Sequence, residues 1–243
     1  MEIIQNKDDK LVFSAKIEES LINAIRRYVN QIPILAIDEV EIHKNDSPLY
    51  DETLANRIGL IPLKMEEIND EKKMPELKLE TSKEGWVYSG ELKGKIEIIY
   101  KEIPLTTLDE NQEIKILAKT KIGRGEEHAK FSPGLIYYRN FAEIKIDKGC
   151  NLCEKCIDSC PKKILKIENK KIVIENSIEC DMCDACVEFC KKNGKNAIQI
   201  NPSEKLVISI ESFGQLKTKE IFKKSIKELK KDILEVAKKI KKL

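Results

Sequence analysis

All eight cysteines of this 243-residue chain lie between Cys150 and Cys190, in two runs. The first is Cys-x2-Cys-x2-Cys-x3-Cys-Pro, from Cys150 to Pro161, and the second is Cys-x2-Cys-x2-Cys-x3-Cys, from Cys180 to Cys190. Three thiolates so closely spaced can wrap one face of an iron–sulfur cube, while the fourth lies too far along the chain and reaches another cube. The spacing therefore predicts two [4Fe–4S] clusters. One is assigned to Cys150, Cys153, Cys156 and Cys190, the other to Cys160, Cys180, Cys183 and Cys186. Zinc is the main alternative, since two Cys-x2-Cys pairs make a tetrahedral thiolate site. Zinc does not need the third cysteine, nor a fourth followed by proline. A disulfide scaffold suits a reducing compartment less well still. One departure separates the runs: Pro161 follows Cys160, but Lys191 follows Cys190. Without that rigid turn, Cys190 is expected to be the weaker hold.

Between the runs, Lys163–Glu168 and Lys171–Glu175 alternate around Asn169-Lys170, the pattern of a short hairpin. The second run is likewise followed by an alternating segment, Ala197–Ile200. A cysteine run followed by a strand is thus duplicated, and residues 147–202 resemble the bacterial two-cluster ferredoxins.

An electron carrier needs little more than that segment, so the long flanks require their own explanation. Residues Glu19–Gln31 place Leu21, Ile22, Ile25, Tyr28 and Val29 on one face and stop before Pro33, which predicts an amphipathic helix, with Ser20 available as its cap. Ile34–Ile42 reads as a strand with Ile37, Val40 and Ile42 as its buried residues. Another strand, Leu206–Glu211, precedes a helical stretch, Gln215–Leu243. There Phe222, Ile226, Leu229, Ile233, Val236 and Ile240 form a heptad seam. Lysines on its other face raise a membrane-surface or nucleic-acid role, but Glu220, Glu228, Asp232 and Glu235 interleave and no tryptophan anchors the apolar face. Packing on a partner helix or on its own domain remain the uses of such a seam.

Charge limits the function classes. Lys and Arg number 44 against 42 Asp and Glu, so the whole chain has no long-range field for holding nucleic acid. The first ten residues are polar with three acids, unlike a secretory signal, and no apolar run approaches the length of a membrane span. A soluble, cytoplasmic protein is expected.

Two passages in the amino-terminal flank carry a more specific resemblance. Asn23-Ala24-Ile25-Arg26-Arg27 through Pro33–Val40, and Asp51-Glu52-Thr53-Leu54-Ala55-Asn56-Arg57-Ile58-Gly59-Leu60-Ile61-Pro62-Leu63, closely resemble the alpha-like assembly subunits of cellular RNA polymerases. A third, Gly123–Pro133, resembles the loop of those subunits that faces the catalytic subunits. With the cysteine insertion, the resemblance narrows to the alpha-like assembly family of archaeal DNA-directed RNA polymerase, the one that carries a two-cluster ferredoxin-like insertion, and it covers essentially the whole chain. Alone, each passage has an ordinary reading: solvated Arg26 and Arg27, Asp51 as a helix cap, Gly123-Arg124-Gly125 as a turn, His128 as structural.

The resemblance implies an α+β fold: a discontinuous dimerisation domain from residues 1–45 and 203–243, a mainly β insertion domain from 46–146, and a ferredoxin-like domain from 147–202. It also implies pairing with a small subunit L, with Arg26, Arg27 and the seam as partner-binding residues. The insertion domain is implied to contact the second-largest subunit and the small subunits N and P. DNA would be met only through the complex. Polymerase chemistry needs carboxylates holding two Mg²⁺ ions, and the chain has no Asp-x-Asp-x-Asp loop; Asp181 and Asp184, inside the second cysteine run, are expected to face solvent. No active site is expected, so the chain would act as a platform. Its clusters would stabilise it or make it sensitive to redox state. A ferredoxin-type electron carrier is the alternative function.

Overall fold

A computed structural model describes residues 1–65 and 74–241; residues 66–73 of the expected insertion domain and the last two of the expected carboxy-terminal helix lie outside the described residues. The chain begins with β1 (Glu2–Asn6), β2 (Lys10–Lys16), α1 (Glu19–Arg27), β3 (Ile34–Asn45) and α2 (Asp51–Gly59). Six strands follow: β4 (Glu76–Thr81), β5 (Gly85–Tyr88), β6 (Lys93–Gly94), β7 (Pro104–Leu108), β8 (Ile114–Gly123) and β9 (Gly134–Ile146). Then come α3 (Lys155–Asp158), β10 (Leu165–Glu168), β11 (Lys171–Ile174), α4 (Ala185–Lys192), β12 (Ile198–Ser212) and α5 (Thr218–Ile240). The fold class is α+β, with strands predominating.

Two compact units emerge, one from Met1–Asn6, Val12–Ile22 and Tyr137–Ser209, the other from Lys7–Leu11, Asn23–Ile136 and Ile210–Leu243. The first unit is built around a sheet of order β1-β2-β12-β9. Leu206, Val207 and Ile208 of β12 are each at most 2% exposed, so successive side chains, which point to opposite faces, are all enclosed. The sequence suggests two strands here, Ala197–Ile200 and Leu206–Glu211. The structure has one, 15 residues long, which runs through Asn201-Pro202-Ser203. Proline's fixed φ suits extended backbone, so Pro202 does not end the strand although it reads as a break.

The expected hairpin is present: β10 and β11 pair antiparallel, with Glu168 opposite Lys171. Asn169 (φ 48°) and Lys170 (φ 60°) both adopt the left-handed conformation, as a two-residue type I′ turn requires.

The second unit has a sheet of order β3-β8-β4-β6 and a separate β5-β7 pair. Its core draws Leu35 and Ile37 from β3, Leu54 and Ile58 from α2, and Leu77 and Leu79 from β4. Val40 and Ile42 are half-buried against this core rather than enclosed in it. The register of β3 against β8 shifts between Ile37 and Glu39 and between Ile42 and Lys44, bulges that disturb strict alternation along β3.

The helix expected over Glu19–Gln31 is shorter. It ends at Arg27, and Tyr28–Gln31 tighten into a 3-10 turn. Ile32, forced away from helical backbone by Pro33, is extended with ψ 124°. Ile22, Ile25 and Val29 are buried, but Leu21 is 48% exposed and leaves the expected apolar face. Ser20 lies within the helix rather than capping it, and the Glu18 carbonyl accepts the N–H bonds of Leu21 and Ile22.

Candidate metal centre

The two cysteine runs share an unusual backbone. Leu152 (φ 55°) and Glu154 (φ 62°) in the first run correspond position for position to Met182 (φ 52°) and Asp184 (φ 57°) in the second. Left-handed backbone costs a non-glycine residue about 1–2 kcal/mol, so four such residues at matched positions mark a loop held by something other than local preference. Alternating right- and left-handed residues turn successive N–H groups toward one concavity, an arrangement that recurs around iron–sulfur sites. After each loop a helix carries the next cysteine: α3 contains Cys156, and α4 contains Cys186 and Cys190.

This backbone brings the thiols together in two sets. Cys156 lies within electrostatic reach of Cys150, Cys153 and Cys190, and Cys186 within reach of Cys160, Cys180 and Cys183. Cys156, Cys160, Cys180, Cys186 and Cys190 are buried, Cys150 is half-buried, and Cys153 and Cys183 are exposed. Ala142, Ile144, Ile146, Ile164, Leu165 and Ile198 supply much of the apolar shell. Burial, and then the neighbouring thiols, push the Cys156 thiol up and the Cys186 thiol up to about 11. Burial also raises Cys180. Thiolates gathered under an apolar cover resist joint ionisation unless a strongly cationic core neutralises them. The donor set therefore fits an iron–sulfur core. Cys160, Cys180, Cys183 and Cys186 line one cavity together with Ile144, Pro161 and Ile200. Among the described residues no group of three or more His, Cys, Asp or Glu closes around the centre of a single ion. None of the eight cysteines is in a disulfide.

The two ends of the runs differ as their following residues dictate. Pro161 cannot continue a helix, and α3 stops at Asp158. Lys191 can, so α4 extends to Lys192 and encloses Cys190 in regular helix. Lys195 N–H further bonds the Cys190 carbonyl at 3.1 Å. Cys190, expected to be the weaker hold, thus stands in regular helix. Asp181 and Asp184 are exposed, and Asp181 lies 3.4 Å from Lys162 Nζ.

One residue near the site has no counterpart in the sequence expectations. Arg139 on β9 donates from Nη1 to the Cys180 carbonyl at 2.8 Å and from Nη2 to the Ile178 carbonyl. Its partners are main-chain oxygens about forty positions away, so no side-chain pattern announces it.

The expected partner-binding residues are distributed as follows. Arg26 and Arg27 are exposed, and Arg26 bonds within its own helix to Asn23 Oδ1, at 2.9 and 3.2 Å. The seam on α5 divides. Near its start Thr218, Ile221 and Ser225 are buried, and Phe222 and Leu229 are half-buried. Ile226 is 38% exposed, and Ile233, Val236 and Ile240 are 56–63% exposed. The buried positions in the first turns are one residue ahead of the expected seam, because Ile221 and Ser225, not Phe222 and Ile226, face this helix's own unit. Beyond them the apolar stripe is bare.

The loop of residues 123–133 is an internally bonded turn. Arg124 N–H bonds the Glu127 carboxylate at 3.1 Å, while Glu127 N–H returns to the Arg124 carbonyl at 2.9 Å. His128 Nδ1 accepts from Lys130 N–H at 3.2 Å and has the structural role of starting a short turn. Gly123 and Gly125 are required by space: a Cβ would fall 2.6 Å from the Phe131 ring and 2.8 Å from Asn30 Oδ1, respectively. Asp51 opens α2 and accepts from Asn45 Nδ2 at 2.7 Å.

Comparison with known proteins matches residues 22–137 to the RNA polymerase Rpb3/RpoA insert domain and residues 143–191 to a 4Fe-4S dicluster domain. Over 95% of its length the chain is similar, at 32% identity, to DNA-directed RNA polymerase subunit Rpo3 of Archaeoglobus fulgidus, covering 93% of that protein. The Methanothermobacter thermautotrophicus Rpo3 is 34% identical over 91% of each chain. That of Pyrococcus horikoshii is 31% identical over 92% of this chain and 90% of the relative.

Proposed function

Because the chain belongs to the Rpo3 family of archaeal DNA-directed RNA polymerase subunits, we propose that it is a non-catalytic assembly platform of that enzyme. The carrying observation is the extent of the kinship, which covers 95% of this chain and takes in the insert segment and the cysteine module in one order. Catalysis belongs to other subunits on this reading, in keeping with the missing Asp-x-Asp-x-Asp loop.

The finer assignments follow the same reading. Residues 1–45 with 203–243 form the dimerisation domain, 46–146 the insertion domain and 147–202 a ferredoxin-like module. Pairing is with subunit L, through the exposed stripe of α5 together with Arg26 and Arg27. The insertion domain meets the second-largest subunit and the small subunits N and P. Bare Ile233, Val236 and Ile240 support the pairing surface, since an apolar helical stripe left uncovered by the described residues of its own chain needs a partner.

Two [4Fe–4S] clusters are held by Cys150, Cys153, Cys156 and Cys190, and by Cys160, Cys180, Cys183 and Cys186. The two thiol sets around Cys156 and Cys186 support this crossover. When bound, such a core supplies thiolate cross-links that fix a small module's fold, and metal-binding free energy becomes folding free energy. Their first role is therefore structural, with sensitivity to oxygen as its consequence. An electron-carrier role would leave the whole second unit, with its own core, without a use. Cys153→Ser and Cys183→Ser variants, purified anaerobically, test the structural role. Each is expected to lose about half of the cluster absorbance and to recover less polymerase; full recovery with subunit L and the large subunits would refute the role in assembly.

A further inference from the structure

The two cysteine runs are anchored at their starts by different means. The first leaves β9 directly: Asp147 N–H bonds the Ala197 carbonyl at 2.8 Å, and Cys150 N–H bonds the Asp147 carbonyl at 3.2 Å. Main-chain bonds beside a strand end thus fix Cys150. The second run follows the β10-β11 hairpin through a short turn, Ser177–Glu179, that separates Cys180 from the end of β11. Cys180 N–H bonds back to the Ser177 carbonyl within that turn, at 3.2 Å. What ties the turn to the sheet is the half-buried Arg139, whose guanidinium spans the Cys180 and Ile178 carbonyls. Arg139 lies on an edge strand of the β1-β2-β12-β9 sheet, between the two segments matched by family models.

We propose that Arg139 is the positioning residue of the second cluster, fixing the Cys180 end of its ligand loop from β9. This rests on the reading of the cysteines as iron–sulfur ligands. A planar fork that donates to two carbonyls sets both the place and the direction of a backbone segment, which a lysine's single ammonium does not. Partners beyond the ligands hold them in orientation, and their loss typically costs about 10–100-fold in metal affinity. Both guanidinium bonds go to the segment that carries Cys180, whereas the start of the first run is tied to Ala197 by a main-chain bond from Asp147. The dependence is therefore confined to one of the two clusters.

The test uses the full chain, purified anaerobically, as wild type, Arg139→Met, Arg139→Lys and Cys183→Ser. Iron, acid-labile sulfide and the electron paramagnetic resonance spectrum of the reduced protein are measured. Wild type is expected to hold about eight irons and eight sulfides, as two cubes require. Its failure to contain sulfide would overturn the cluster reading itself, separately from the role of Arg139. Arg139→Met is expected to retain about half of the wild-type iron and sulfide, with the one-cluster spectrum of Cys183→Ser. A full complement with an unchanged spectrum, or loss of both clusters together, overturns the proposal. Arg139→Lys keeps charge and stem, and carries the test if the methionine variant does not fold. Half of its iron is expected to pass to a chelator about 10-fold faster than in wild type. Release at the wild-type rate overturns the proposal.

Discussion

Cys153 and Cys183 occupy equivalent places in their runs and are the two exposed thiols. Each of the two thiol sets thus has one member open to solvent. Cys153→Ser is expected to leave the second cluster intact and Cys183→Ser the first, each with about four irons by elemental analysis. Equal loss of both clusters in both variants would refute the partition. Elsewhere, Lys130 Nζ lies 2.7 Å from Asp38 Oδ1, and its hydrogen bond holds that carboxyl below the usual range, against some desolvation. A carboxyl depressed by folding contributes stability above its unfolded value, about pH 4, and loses it as pH falls through the folded value. Asp38→Asn should cost roughly 0.2–1 kcal/mol near neutrality and little in acid. Urea unfolding at neutral pH and near pH 3 would show it, and an equal cost at both would refute the linkage. The gathering of the cysteines was legible in the sequence because their spacing is local. Arg139 was not, because a guanidinium bonded to distant carbonyls leaves no side-chain signature.

At the scale of elements, alternating segments around a short turn made the hairpin readable, and Pro33 marked where the first helix stops. What misled was punctuation with two meanings. Pro202 reads as a break, yet extended backbone accommodates it within β12. The absent proline after Cys190 reads only as the loss of a rigid turn, yet it lets α4 continue. Lys191→Pro should therefore destabilise, by about 3 kcal/mol, since a proline in helix loses a hydrogen bond and clashes with the preceding turn. A rise in thermal unfolding temperature would contradict the helical account. The seam of α5 was visible as a period, but its division was not, because periodicity cannot say which turns meet their own chain. Ile221→Ala, at a fully buried position, should cost about 2–5 kcal/mol. Ile233→Asp, 58% exposed, should leave the isolated chain's unfolding unchanged and weaken copurification with subunit L. A chain that unfolds early but still pairs fully would reverse these roles.

For the whole molecule, charge balance gives the chain no long-range field for holding DNA. Kinship over nearly its full length gives the family. The platform account unites the exposed stripe, the core of the second unit and the cysteine module, which a free electron carrier would not require together. It is tested most directly by tagging this chain, isolating its complexes without oxygen, and analysing both subunits and metals. The account expects the large polymerase subunits and subunit L to co-elute with it, carrying about eight irons and eight sulfides per chain. A chain recovered without the large subunits, or one bearing zinc and no sulfide, would contradict it.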